Sequence, residues 1–438
     1  MSRLPPGPSK LSMIRMMFDF SSTLSDYTRK YGDPMTLPTA FGKMVIATAP
    51  EGNKAIFSAD PDTFVASTAG TLDFLFKSSV LVTAGAEHRR ARKLLTPPFH
   101  GARMRAYGNL MRQTARAWAE RWVPAQPFQM IDTTQGITLD VIIEAVFGVA
   151  DSEKMRRFRE EILAVLGAFS PLIFFPAFRH RFLGIGPWAR FQRHYEALRT
   201  LVFGLIDEYR RTLEGREDIL SLLVAARDEE GKGLSEQEIM DQLLTIVFAG
   251  HETTAVMLAW MFYLLGRNPE CLERLRAEIA SVPGGESADP EALARLPYLE
   301  AVCNETLRLY PPVHVIHRRL VKPLTLLGYD LPVGTVVAAG AFSTHRLESL
   351  YPEPDKFKPE RFLNRSYSPF EFLPWGGGAR RCLGAAFAMY EMKLVLATIV
   401  PRYRLRLLEK GEVGFEHRPG TVGPKGGIKM ALEEKIAT

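Results

Sequence analysis

The sequence predicts a mainly α-helical fold with small β-sheets, built as a single domain over residues 1–438. Three observations carry that expectation. Apolar residues recur at helical spacing through residues 87–310, short β-branched runs stand on either side of that region, and no serine-rich, repeated or low-complexity linker divides the chain. Length alone would allow about two or three domains. Proline and glycine are nevertheless scattered through turns rather than gathered at a boundary, and 46% hydrophobic residues suffice for one sizeable core.

Taken in order, a β-rich start over about residues 35–60 contains Val45-Ile46-Ala47-Thr48, a run suited to a pleated surface. Before it, Met13 to Phe20 is interrupted by charge and falls far short of a membrane span of about 20 residues. No signal peptide is evident, and Leu4-Pro5-Pro6-Gly7-Pro8 stands almost at the start, so a cytoplasmic protein without a transmembrane anchor is expected. The most apolar stretch, Ile162 to Phe178, is broken by Pro171 and Pro176 and followed by Arg179, His180 and Arg181; it reads either as a buried core segment or as a contact with an anionic membrane surface. Ser235 and Glu238 form a capping-box start for a helix running to about Arg267, long enough at about 48 Å to cross a domain. Another helix begins near Pro297. In the mixed region 311–438, Leu324 to Leu327 and Thr335 to Ala339 flank Gly328, Pro332 and Gly334 and read as a hairpin, and Thr421-Val422 marks a last β region.

The densest motif is Pro374-Trp375-Gly376-Gly377-Gly378-Ala379-Arg380-Arg381-Cys382-Leu383-Gly384, a cysteine in a glycine-rich loop leading into an apolar helix. It reads as a thiolate bound to haem iron. An anionic sulfur needs N–H donors aimed at it, glycines let backbone amides crowd close, and a helix start adds positive dipole. Gly384 would let that helix pass close to a flat macrocycle, and Arg380 could reach a propionate. Taken alone, Cys382 would also pass as a small buried hydrophobe in a turn. Three further motifs argue for the cofactor.

Midway along the long helix, Ala249-Gly250-His251-Glu252-Thr253-Thr254 places a glycine, an acid and two β-branched hydroxyls where helix stability favours none of them. Such local inconsistency marks a working site. A zinc reading of His251-Glu252 fails, because the metalloprotease pattern needs a second histidine where this chain has Ala255. Glu305 and Arg308 share one face of the helix from Pro297, together with apolar neighbours that could bury them. Arg361, in the proline-stiffened Phe357 to Phe362 loop, could complete a network with Glu305.

Together these four segments resemble the cytochrome P-450 family of haem-thiolate monooxygenases, in order over roughly residues 80–384. The resemblance implies a haem b (iron protoporphyrin IX) with Cys382 as its axial thiolate ligand. Arg380, Arg92, His88 and Arg318 would bind the propionates, with Arg318 preferred over Arg319; many relatives carry tryptophan where His88 stands. Glu252 and Thr253 become the pair that activates O2, and Ala249 and Gly384 lie against the cofactor. Glu305, Arg308 and Arg361 become a structural triad that steadies the cysteine loop. Trp375 stands where the family usually has phenylalanine; an indole there is expected to alter thiolate donation and reduction potential. Leu81, Val82, Ala249, Val313, Val315, Ile316 and Val422 would line the substrate pocket, with His314 as a polar exception facing either into it or away.

Net charge is +6 and the pI about 9.1, yet no nucleic-acid motif accompanies the excess. Arg89, Arg90, Arg92, Lys93, Arg381 and Lys393 cluster in sequence near the cysteine side, which suggests docking of an acidic electron donor. Three cysteines, Cys271, Cys303 and Cys382, are too few for a disulfide framework and favour a reducing compartment. The resemblance thus implies a bacterial, monomeric monooxygenase acting on a small hydrophobic substrate. A fatty acid is the first choice, with terpenoids, steroids and polyketides close behind. Electrons would come from NAD(P)H through a ferredoxin or flavodoxin with its reductase. A haem-thiolate isomerase, dehydratase or peroxygenase would not need Glu252-Thr253, and a haem-based sensor would need no redox partner.

Overall fold

The computed structural model describes residues 4–9, 20–39, 42–66, 76–99, 101–149, 152–168, 186–418 and 420–436. Most of the N-terminal stretch from Met13, the second half of the apolar segment from 169 on, and Arg179, His180 and Arg181 lie outside the described residues. In chain order, α1 (Phe20–Tyr31) precedes an antiparallel hairpin of β1 (Met35–Thr39) and β2 (Gly42–Ala47). Val45, Ile46 and Ala47 of β2 are fully buried, as a β-branched run at a sheet centre requires. Next come α2 (Pro50–Ser58), β3 (Phe64–Ala66), α3 (Gly85–Leu95), α4 (Ala102–Ala119), the short β4 (Pro127–Gln129), α5 (Met130–Phe147), α6 (Ser152–Gly167), α7 (Pro187–Arg211) and α8 (Ile219–Ala225).

The helix α9 (Glu236–Arg267) organises this region. Its start is the capping box expected from sequence: Ser235 Oγ accepts the Glu238 N–H at 3.2 Å, and Glu238 Oε2 accepts the Ser235 N–H at 2.8 Å. Apolar side chains occupy nearly every face, so α9 is long and apolar enough to cross a membrane; in this fold it is instead the core helix, covered by α5, α7 and the later helices. After it follow α10 (Pro269–Ser281), α11 (Pro290–Ala294) and α12 (Pro297–Leu309). The main hydrophobic core lies along α4 to α9 and α12, and two smaller clusters sit behind the sheet.

Strands then return as β5 (Ile316–Leu320), β6 (Leu324–Leu326), β7 (Tyr329–Leu331) and β8 (Val336–Ala339). The hairpin expected between the runs at 324 and 335 does not form. β6 pairs instead with β7 across Leu327 and Gly328, both at positive φ (48° and 87°), and β8 inserts between β2 and β5. A two-residue turn with two left-handed residues closes the nearer hairpin and wins over the more distant partner. The resulting sheet has the order β1-β2-β8-β5-β3. The chain ends through α13 (Arg361–Asn364), α14 (Ala385–Ile399), β9 (Tyr403–Leu407), the β10 (Phe415–Arg418) and β11 (Thr421–Pro424) hairpin, and β12 (Lys429–Lys435). Replacing Ser235 with alanine removes one arm of the cap on α9 and is expected to lower unfolding free energy by about 1 kcal/mol in urea titration.

Candidate active site

The cysteine loop is shaped by glycines that the packing demands. Gly376 and Gly378 have φ of 65° and 63°. A Cβ on Gly377 would lie 2.4 Å from the Phe57 ring, and one on Gly378 would lie 2.3 Å from Phe57 O. The loop is thus pressed onto α2 with no room for side chains. Its closure brings the Cys382 N–H to Trp375 O at 2.8 Å. Cys382 is an exposed free cysteine that opens onto a cavity of about 660 Å³, which Arg92, Asn304, Trp375, Arg381 and Leu383 also line. Burial pushes its thiol pKa up, while the Gly384 N–H, and then the charges of Arg381 and Arg92, act to hold it down. Gly384 differs from the three loop glycines before it: its φ is −84°, and a Cβ there would meet nothing within 4 Å. Among the described residues no atom fills the space beside Gly384 at the start of α14.

Beside this loop four basic groups converge. Arg318 faces inward from β5, 4% exposed, and donates to Gly377 O, whereas its neighbour Arg319 turns outward to Gly334 O at 3.4 Å. Strand alternation makes that choice, and it favours Arg318. Arg380 donates to Thr83 O and, at 3.5 Å, to Leu81 O. His88 is buried on α3, and with Arg318 and Arg380 it lines a cavity of about 70 Å³. Among the described residues no carboxylate pairs with Arg92, Arg318 or Arg380. The electrostatics record the crowding. Burial, and then Arg380, lower Arg318 to about 10; burial, and then Arg380, Arg92 and Arg318, lower His88 to about 4. Arg92 and Arg380 are lowered as well, chiefly by burial.

At the middle of α9 each residue of the unusual run meets a different neighbour. A Cβ on Gly250 would lie 3.3 Å from Ile142 Cδ1 on α5. His251 is buried against Thr138, whose Oγ1 lies 3.0 Å from Nδ1, and burial lowers its pKa to about 4. Ala249 and Thr253 share the open face, and the Thr253 hydroxyl donates to Ala249 O at 2.5 Å. Glu252 is not free: Oε2 accepts from Gln135 Nε2 at 2.8 Å and Oε1 from Arg418 Nη1 at 2.9 Å. Sequence reasoning missed both partners, since one lies 117 residues before Glu252 and the other 166 after it.

A family model described as "Cytochrome P450" matches residues 5–431 of this chain. The chain belongs to the cytochrome P-450 family. Among its relatives are two proteins of Mycobacterium tuberculosis. One, provisionally named cytochrome P-450 137, is 38% identical over 85% of this chain and 77% of its own length. The other, provisionally named cytochrome P-450 135A1, is 33% identical over 98% of this chain and 95% of its own. The solved structure of retinoic acid-bound cyanobacterial CYP120A1 superposes with a TM-score of 0.85, at 27% identity, covering both chains fully.

Members of the P-450 family carry haem with a cysteine thiolate on the iron, and this chain fits that group in three respects: the open space at Gly384, the basic groups with which no described carboxylate pairs, and the opening of Cys382 onto a cavity. Close by, Glu305 and Arg308 on α12 are fully buried and paired through two bonds of 2.7 and 2.8 Å. Arg308 also donates to the carbonyls of His345, Pro354 and Lys356, while Glu305 accepts from Arg361 Nε at 3.2 Å and from the Lys358 N–H at 2.9 Å. This is the network the motif spacing predicted, buried in a setting where each charge is compensated.

One expectation for this P-450 needs correction. The basic run does not form one docking surface: Arg90 pairs with Asp228 and Glu238, Lys93 with Glu229, Arg89 with Asp62, and Lys393 is buried against Glu300. Helical rotation sends neighbours in sequence to different faces, leaving Arg92 and Arg381 on the cavity that Cys382 opens onto. The residues expected to line the substrate pocket lie on several elements. Val82 is buried in the main core, Leu81 and Val313 are exposed, Val315 packs with Leu24 and Leu37, Ile316 lies beside Gly376, and Val422 is half-buried on β11. His314 faces Phe342 and Phe415, with ring centroids 4.7 and 5.1 Å away, and burial lowers its pKa to about 3. A small apolar cavity beside α9 is lined by Phe76, Ile162, Val165, Leu198, Leu244 and Phe248, of which Ile162 and Val165 belong to the apolar stretch and Leu244 and Phe248 to the expected core helix. Replacing Glu305 with alanine would leave Arg308 buried without its carboxylate. It is expected to cost about 3–5 kcal/mol of stability, read as loss of soluble folded protein, whereas the half-retained charge network of Arg361→Lys is expected to fold.

Proposed function

We propose that this monooxygenase inserts one atom of O2 into a small hydrophobic molecule, with a medium or long acyl chain as the first candidate and terpenoids, steroids and polyketides next. The observation that carries the reading is the gathering of Arg318, Arg380 and His88 around one cavity, whose Asp62 is already paired with Arg89, together with Arg92 on the cavity onto which Cys382 opens. Bound haem would supply the redox chemistry that activates dioxygen, favoured by electron donation from the thiolate.

In this proposal Cys382 is the iron ligand, with the Gly384 N–H stabilising its charge, and Arg92, Arg318, Arg380 and His88 hold the two propionates. Trp375 accepts the Cys382 N–H through its carbonyl and brings an indole alongside the thiolate. The Thr253 hydroxyl, on the open face of α9 beside Ala249, passes protons supplied through Glu252. Glu305, Arg308 and Arg361 fix the segment behind the cysteine loop. The apolar lining beside α9 suits a substrate without charge along its length, and the retinoic acid bound in the cyanobacterial relative is an apolar chain ending in a carboxylate. Electrons from NAD(P)H would arrive through a separate ferredoxin or flavodoxin with its reductase. Arg92 and Arg381 are the described basic residues that line the cavity by Cys382. A single haem domain acting as a cytoplasmic monomer completes the proposal; the burial of α9 among other helices is in keeping with it.

The reading is tested by the spectrum of the reduced carbonyl complex, expected to show the strongly red-shifted Soret band of thiolate ligation and to lose it in Cys382→Ser; titration with fatty acids and terpenoids then ranks substrates by their spin shift. Thr253→Ala is expected to keep consuming NADPH but to divert it to hydrogen peroxide, and unchanged coupling would remove Thr253 from proton delivery.

A further inference from the structure

The Glu252 carboxylate is claimed by a hairpin far away in sequence. Arg418 reaches its Oε1 from β10, and the other guanidinium nitrogens donate to Glu416 Oε1 at 2.8 and 3.0 Å. Arg418 is 19% exposed and Glu252 17%, so the pair is only weakly screened. The neighbouring strand keeps space for it: a Cβ on Gly423 would lie 3.0 Å from Arg418 Cδ, 3.1 Å from its Nε and 3.1 Å from Val256 Cγ2. Gly423 does not have a positive φ, so its backbone accepts other residues and its smallness answers to packing alone. The same strand is moored to the segment entering β5, since the Val422 N–H donates to Pro312 O at 3.0 Å and Thr421 Oγ1 to the same oxygen at 2.9 Å. The other groups facing the carboxylate are Gln135 from α5 and the buried His251, whose Nε2 is 4.0 Å away.

We infer that Arg418 is a positioning residue for Glu252: it holds the carboxylate toward the β10–β11 hairpin, so that proton delivery to Thr253 depends on where that hairpin sits. This deepens the proposed function and rests on the reading of Glu252 and Thr253 as the proton-handling pair. Gly423 acts through Arg418, by leaving its side chain the path to Glu252.

Two measurements test it on the holoenzyme. In infrared spectra of the resting protein, with Glu252→Gln as the blank that isolates the Glu252 band, Arg418→Gln is expected to shift the carboxylate stretch. Arg418→Lys should recover part of the wild-type position, and Gly423→Ala, which alters no charge, should shift it in the same direction as Arg418→Gln. In NADPH oxidation with a plant-type ferredoxin, its reductase and lauric acid as probe, Arg418→Gln and Gly423→Ala are expected to change the peroxide fraction by about threefold, and to have no further effect in the Glu252→Gln background. A Glu252 band unmoved by Arg418→Gln overturns the inference, as does a peroxide change that persists undiminished without Glu252. Should lauric acid not be turned over, the infrared result decides alone. Wild-type coupling in both Thr253→Ala and Glu252→Gln would overturn the underlying reading instead.

Discussion

Buried positive charge without a matching acid is the constraint around which the rest of this structure is arranged. Arg318 and Arg380 lie mostly out of water with Arg92 and His88 beside them; after burial itself, Arg380 depresses the proton affinity of Arg318, Arg92 that of Arg380, and all three that of His88. An unpaired buried ion costs on the order of several kcal/mol, so packing among themselves cannot be what keeps these groups together. The fold holds them with backbone carbonyls, Gly377 O for Arg318 and Thr83 O for Arg380, which orient a guanidinium without neutralising it. A dianionic ligand restores the balance, and a haem presents two carboxylates.

The triad on α12 shows the opposite solution a short distance away. Glu305 and Arg308 are even more deeply buried, yet each has its counter-charge, and Arg308 spends its remaining donors on three carbonyls. Where the chain supplies the acid, the network stiffens the protein; where it withholds the acid, the guanidinium groups rest on backbone carbonyls. The same contrast separates the glycines. Gly377 and Gly378 are explained by contact with Phe57, whereas Gly384 faces space that no side chain of the protein fills.

Sequence reasoning reached the parts of this architecture that local chemistry dictates. The capping box at Ser235 and Glu238 is a three-residue pattern, and it placed the start of α9 correctly. The Glu305 and Arg308 pairing followed from helical spacing, and the inward turn of Arg318 agrees with strand alternation. What failed depended on distance. Strand β8 found its partners in β2 and β5 because a tight left-handed turn had already joined β6 to β7. The basic run dispersed because acids at Asp228, Glu229 and Glu300, far off in sequence, were waiting for it. Substrate-facing positions carry no local rule at all, and any apolar residue serves a core and a pocket equally well.

Adjacency on α9 is the case where a sequence motif misleads about space. Consecutive helical residues point about 100° apart, so Glu252 and Thr253 cannot both present their polar atoms to one spot without help. The structure sends them separately, Thr253 back onto Ala249 O at the open face and Glu252 sideways to Gln135 and Arg418. An acid and an alcohol written side by side are therefore two stations rather than one, and a proton passing between them must travel on a water molecule or wait for the carboxylate to leave its guanidinium. The second route carries a toll set by the strength of the Arg418 pair. On the proposed reading of Glu252, that toll gives the far hairpin, beyond the motif itself, a hand in when the acid is available.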